Sequence, residues 1–93
     1  MIKSFGDKRT EALFKGFRHP SFPSDLAERA RSKLLVLNAA CGLQDLKIPY
    51  SNHLEELKYD RKGQWSIRIN KQWRICFEWR GHDAYHVEIV DYH

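Results

Sequence analysis

The sequence predicts an α+β fold in two layers, with an N-terminal strand and two helices packed on an antiparallel sheet of about four strands. Three observations carry this. Apolar residues recur at three- and four-residue spacing through Leu26, Ala27, Ala30, Leu34 and Leu37, which paints one stripe on a helix. The period changes to two after Gln64, as half-buried strands require. A stretch holding Pro20 and Pro23 separates that helix from an earlier one and cannot itself be helical throughout.

Each element follows in order. Ile2 to Phe5 is a short apolar opening and reads as an edge strand. Asp7 can cap a first helix through Thr10 to Lys15, which Gly16 would end. Ser24 or Asp25 is expected to cap the second helix, which runs to Ala40 and stops at Gly42. Glu28, Arg29, Arg31, Ser32 and Lys33 form its wet side, and this helix reads as scaffold. Leu43 to Tyr50 reads as a connection, and a strand is expected around His53 to Lys58. Then Trp65, Ile67 and Ile69 alternate with polar residues, as do Trp73, Ile75, Phe77 and Trp79, and finally Tyr85, Val87 and Ile89. The three tryptophans are expected in the core. Asp60 to Gly63, Asn70 to Gln72 and Arg80 to Asp83 are the turns. The opposite face of the sheet is expected to carry Arg68, Arg74, Glu78, His86 and Glu88.

Composition bounds the function. The chain has 93 residues, enough for one domain over 1–93. It is 42% hydrophobic, too apolar for a disordered tail. No run approaches the roughly 18 apolar residues of a membrane span, and the opening nine residues hold no secretory h-region. A cytoplasmic protein is expected. Cys41 and Cys76 then read as two small buried hydrophobes. His82 and His86 have a ligand-like spacing, but no second pair completes a tetrahedron, so no metal and no cofactor are expected. Charge is unevenly spread. Seven cations between Lys58 and Arg80 meet only Asp60 and Glu78, a net of +5, whereas Gly81 to His93 carries −3. Such a basic block suits a polyanion, nucleic acid above all, and equally suits an ordinary solvated strand face.

Four stretches resemble one known group. They are Ile2-Lys3-Ser4-Phe5, the run from Leu57 to Arg68, the run Asn70-Lys71-Gln72-Trp73-Arg74-Ile75-Cys76-Phe77, and the ending Val87-Glu88-Ile89-Val90-Asp91-Tyr92-His93. Their content and order resemble the RelE/ParE superfamily of bacterial toxins, and in detail its HigB branch. The resemblance implies a RelE-like fold and a ribosome-dependent mRNA endonuclease that blocks translation as the toxin of a type II toxin–antitoxin system. It implies a HigA-like helix-turn-helix antitoxin, action in the 30S A site on mRNA, and an antitoxin complex that binds operator DNA. The family positions that match are Lys58, Arg74, Asp91, Tyr92 and His93. Some relatives place a histidine three residues before the lysine. Here Glu55 stands there and His53 lies two residues earlier, so either His53 fills the role or the role is absent.

These residue types fit metal-free cleavage by a 2′-hydroxyl. Such a reaction needs a base, an acid, cations for the phosphorane, and a hold on the nucleotide. His93 can exchange a proton near its reference pKa of about 6.5. Lys58 and Arg74 can carry phosphate charge, the latter bidentately. Tyr92 can stack a base, and Asp91 can orient His93 or accept from a base edge. Whether His93 is the acid or the base stays open. Arg68 and His86 could line an RNA groove, while Arg61, Lys62 and Lys71 in the connections would meet phosphates less specifically. Two other classes compete: a non-nucleolytic toxin of the ParE type acting on gyrase, and a degenerate homologue that acts only by binding its antitoxin.

Overall fold

The computed structural model describes residues 1–61 and 63–92, with Tyr59 described in its backbone alone. Helix α1 spans Lys8–Phe14 and helix α2 spans Ser24–Ala39. Strands β1 (Glu55–Glu56), β2 (Gln64–Arg68), β3 (Trp73–Arg80) and β4 (Asp83–Asp91) follow. They form one antiparallel sheet in the order β1-β2-β3-β4. The two helices close over one sheet face. Leu13, Leu26, Ala30, Leu34 and Leu37 meet Ile67, Ile75, Phe77, Val87 and Ile89 there in a single apolar cluster. Removal of this area from water is the main driving force for the two layers to associate. Trp65, Trp73 and Trp79 pack against the cluster but are only partly buried.

Local chemistry explains the helix ends, with two corrections. Asp7 caps α1 as expected, its carboxylate accepting from the Thr10 N–H at 2.7 Å. The chain leaves α1 through Gly16 at φ 95°, a conformation glycine adopts without steric cost. At α2, neither Ser24 nor Asp25 is the cap. Pro23, extended at ψ 150°, stands outside the helix and Ser24 is already helical, with no side-chain cap bond. The helix ends before Gly42 as well, because Ala40 turns to an extended conformation. The Asp45 carboxylate then gathers the Cys41 and Gly42 N–H groups at 2.8 and 3.2 Å. This holds Cys41 at the surface, so the expectation that both cysteines are buried holds only for Cys76.

Between α2 and the sheet the connection is more structured than expected, with 3-10 turns at Leu43–Lys47 and Tyr50–Asn52. Asn52 is fully buried, and its amide donates to the carbonyls of Leu46 and Ile48 at 3.1 and 3.4 Å. The strand expected over His53 to Lys58 shrinks to Glu55–Glu56, and Tyr59–Arg61 forms another 3-10 turn.

The sheet departs from simple alternation at one place. Cys76 faces Glu88, but Glu78 faces Tyr85, so β4 carries one extra residue there. His86 has φ 54°, and this bulge reverses the faces on its N-terminal side. Ala84, Val87 and Ile89 therefore point at the core. Tyr85, expected beside Val87 and Ile89, lies on the polar face instead, with the Arg80 guanidinium 4.8 Å from its ring centre.

The opening segment guards the outer edge of β4. Ile2 and Phe5 form separate parallel bridges to Ala84 and Val87, not one continuous strand. Further along that edge, the fully buried Thr10 accepts from the Ile89 N–H at 3.0 Å. A helix hydroxyl thus replaces a missing ladder partner. Thr10→Val keeps the shape and orphans that buried N–H. Urea unfolding is expected to show a loss of about 1–3 kcal/mol, with Thr10→Ser restoring most of it.

Candidate active site

The polar face of the sheet is built around Arg74. Strand pairing sets Arg68 opposite Arg74, and Ser66 opposite Cys76, so these side chains share the face away from the helices. Arg74 is 8% exposed. Its Nε donates to Ser66 Oγ at 2.8 Å, and its Nη2 donates to the carbonyls of His53 and, at 3.4 Å, Ser66. All three acceptors are neutral. Among the described residues Arg74 has no carboxylate partner, and no buried side-chain nitrogen or oxygen lacks a hydrogen bond.

Tyr92 covers this guanidinium. Its backbone N–H donates to the Gln72 carbonyl at 2.6 Å, extending the β3–β4 pairing one residue beyond the strand. Its ring centre lies 6.0 Å from Arg74 Cζ, and its hydroxyl lies 4.0 Å from Cys76 Sγ. Tyr92 as a whole is 44% exposed. Glu88, an acid on this face, is already engaged. Glu88 accepts from Arg61 Nη1 at 3.0 Å, and that bond holds Arg61 still more firmly protonated.

The other expected residues take varied places. Asp91 pairs with Trp73, and its carboxylate accepts from Gln72 Nε2 at 3.0 Å. His53 has a left-handed backbone, φ 44° and ψ 55°, which turns its carbonyl to Arg74 while its ring leans on Tyr50 at 6.2 Å. Lys58 is exposed just past β1, and its carbonyl accepts from the Arg61 N–H. Arg68 donates from Nε to the Asn70 carbonyl at 3.0 Å, which leaves its terminal nitrogens toward a cleft that Lys71 also lines. His86 sits at the bulge, exposed, its N–H bound to Ser4 Oγ. His93 and Lys62 lie outside the described residues. Among the described residues no three His, Cys, Asp or Glu side chains gather to hold a metal ion.

Comparison with known proteins decides the family. A family model described as the RelE-like toxin of type II toxin-antitoxin system HigB matches residues 3–93. The chain belongs to the HigB-like toxin family. It is 40% identical over 80 residues to Toxin HigB-1 of Vibrio cholerae serotype O1, covering 85% of this chain and 84% of that one. It is 34% identical over 93 residues to the Endoribonuclease HigB of Proteus vulgaris, covering all of both chains. The fold also matches chains of solved structure. The YoeB-YefM complex from Staphylococcus aureus aligns with TM-score 0.62 at 15% identity, over 100% of this chain and 98% of that one. A YafQ mutant from E. coli aligns with TM-score 0.60 at 8% identity, over 98% and 93%.

Two residues of this candidate site carry no functional signal of their own in the sequence. Ser66 reads as an ordinary polar strand position, and only the β2–β3 register reveals that it seats Arg74. Cys76 reads as a small buried hydrophobe and is buried, on the polar side beneath Tyr92. Burial first, against a smaller opposing effect of the Tyr92 contact, holds the Cys76 thiol above its ordinary value. Burial, then Cys76, does the same to the Tyr92 hydroxyl. Both groups therefore stay neutral in the fold at neutral pH.

A pH dependence follows. A raised folded pKa gives stability that is fully present below the unfolded value, here 9.0 for the thiol, and is lost as pH climbs through the folded value. Lys33, lowered by burial and then by Arg29, works in the opposite direction over the alkaline range. Comparison with Cys76→Ala isolates the thiol. Melting curves between pH ~8.5 and ~10.5 are expected to fall more steeply for the parent than for that variant.

Proposed function

We propose that this HigB-like toxin is a ribosome-dependent endoribonuclease that cuts mRNA without a metal ion and so inhibits translation and growth. The observation that carries the reading is the Arg74 guanidinium. It is buried, fixed by three neutral oxygens, unpaired with any described carboxylate, and capped by a half-exposed tyrosine. A preorganised cation of this kind costs no reorganisation when charge develops on a phosphorane. A guanidinium paired with a carboxylate would have its field cancelled before substrate arrived.

In this reading the 2′-hydroxyl of the nucleotide attacks the adjacent phosphorus, and the 5′-oxygen leaves. The products are a 2′,3′-cyclic phosphate and a 5′-hydroxyl end. Arg74 and Lys58 stabilise the phosphorane charge. Tyr92 stacks a base over the guanidinium, an interaction worth about 1–3 kcal/mol for single strands. His93 transfers the proton as general acid or base, with Asp91 orienting it or accepting from a base edge. His53 contributes through its carbonyl, which helps fix Arg74, while its ring leans on Tyr50. Arg68, His86, Arg61, Lys62 and Lys71 meet RNA phosphates. The whole chain, 1–93, acts as one toxin domain in the cytoplasm. A HigA-like helix-turn-helix antitoxin neutralises it, and their complex binds operator DNA. The ribosome's 30S A site supplies the message in line for attack.

The test is cleavage of a defined message in a purified translation system, with the ends of the products analysed. The parent should cut the translated message and leave the same RNA intact without ribosomes. Arg74→Ala and His93→Ala should each lower the single-turnover rate by about 10²–10³-fold. Arg74→Lys should recover little, since an ammonium cannot span Ser66 and the His53 carbonyl while facing the substrate. Equal cleavage of free RNA would overturn ribosome dependence. Ends bearing a 3′-hydroxyl and a 5′-phosphate would overturn attack by the 2′-hydroxyl.

A further inference from the structure

A second cationic feature lies beside the Arg74 site. A cleft of about 530 Å³ opens between α2 and the β2–β3 hairpin. Arg29 and Lys33 of α2 form one wall, and Arg68 and Lys71 form the other, with His53 at the boundary with the Arg74 site. No Asp or Glu lines it among the described residues, and none of the four cations is paired with a described carboxylate. Arg29 and Lys33 are one helical turn apart, so two like charges stand together where helix physics alone disfavours them.

The cleft is built and not merely a solvated surface. Lys33 is only partly exposed, and its ammonium donates to Asn52 Oδ1. Asn52 is fully buried, and both bonds from its amide nitrogen go to main-chain carbonyls. That fixes which way the amide points and leaves its oxygen to accept from Lys33, which itself lines the cleft. Across the gap, the Nε bond of Arg68 to the Asn70 carbonyl sets the guanidinium plane and leaves its terminal nitrogens for a ligand. Loss of water and crowding with Arg29 already lower the affinity of Lys33 for its proton, a cost that a bound anion would relieve.

We infer that this cleft is a phosphate subsite that grips the backbone of an RNA strand away from the scissile bond, with Arg29 and Lys33 as its specific contribution. The occupant follows from chemistry. Four cations with one histidine and no apolar aromatic wall suit a diffuse, repeating anion more than a nucleobase. The cleft meets the Arg74 site at His53, so a strand can pass from one to the other. The inference rests on RNA being the ligand of the Arg74 site, and two sources can supply the phosphate: the message or ribosomal RNA.

The experiment measures binding without cleavage. A fluorescent 2′-O-methyl oligonucleotide, which lacks the nucleophile, is titrated by anisotropy across a salt series, and message-free 30S subunits are titrated separately. Arg29→Gln, Lys33→Gln and the double variant are compared with the parent and with Lys15→Gln, an α1 lysine paired with Glu11. Arg29 is exposed, so its substitution leaves packing intact, and thermal melts check the others. The double variant should bind about tenfold more weakly, with a salt slope shallower by about 0.7 for each phosphate that is no longer neutralised. Lys15→Gln should match the parent. A weakening confined to the oligonucleotide assigns the phosphate to the message, and one confined to the subunits assigns it to ribosomal RNA. Unchanged affinity in both overturns the inference, as does a weakening seen only toward the antitoxin, which would make the cleft a protein-binding surface. Cleavage of translated message by the parent is scored in parallel. A parent that never cuts, alongside a double variant that still binds RNA more weakly, would sink the proposed function and leave the cleft standing.

Discussion

The polar face of this sheet depends on one buried charge that has no counter-ion of its own among the described residues. Removing a guanidinium from water costs several kcal/mol, and proteins usually offset that with a carboxylate. Arg74 receives only oxygens: the Ser66 hydroxyl and carbonyl and the His53 carbonyl. These dipoles satisfy its geometry without cancelling its charge. The acid that could have cancelled it, Glu88, is committed to Arg61 at 3.0 Å. Among the described residues no carboxylate cancels the charge that lies below Tyr92. The arrangement also explains why a left-handed His53 is tolerated, because that backbone conformation is what aims its carbonyl at Nη2.

The rest of the fold serves to hold strand β4 where this face needs it. One edge of β4 pairs with β3, and the other is closed in pieces, by Ile2 and Phe5 and then by the Thr10 hydroxyl. A strand closed on both sides resists slipping. Beyond Asp91 the pairing continues through the Tyr92 N–H to Gln72, and Gln72 is itself positioned by the Asn70 side chain in the hairpin turn. The tyrosine that covers Arg74 is thus held by the turn between β2 and β3, not by its own strand. The His86 bulge lets the N-terminal half of β4 keep Ala84 inward while the C-terminal half keeps Val87 and Ile89 inward.

Much of this is legible in the sequence where a period or a cap has a single physical solution. The apolar stripe of α2 can be buried only one way, and Asp7 has a free N–H three residues on. The alternation in β2 and β3 is likewise direct. Periodicity fails at His86 because a bulge adds a residue without a marking glycine or proline, and Tyr85 changes faces as a result. The cap of α2 departs from expectation because Pro23 fixes the entry angle by itself, making a side-chain acceptor unnecessary. Cys41 departs because the Asp45 carboxylate draws that segment out of the helix before the stripe can bury it. At the candidate site, Arg74 and Tyr92 can be named from the sequence, but Ser66 and Asn52 cannot. Their importance comes from cross-strand register and from burial, neither of which leaves a trace in residue type.

The same physics links the Arg74 site to the cleft beside it. A chain of 93 residues has little stability to spare, yet it carries a buried guanidinium without a described carboxylate partner and four further cations around an open cleft. Each could be stabilised by a single carboxylate, and this face has acids available in Glu55, Glu78 and Glu88. Those acids are placed elsewhere: Glu88 on Arg61, Glu78 on Arg80, and Glu55 on the exposed outer strand. Among the described residues the negative charges are thus segregated from the Arg74 site and from the cleft. A buried charge without a counter-ion costs stability in the free protein, and an anion bound beside it would offset that cost. On the proposed reading, charge left uncompensated among the described residues of the sheet and the cleft is available to a polyanion, and the neutral oxygens around Arg74 are what keep it so.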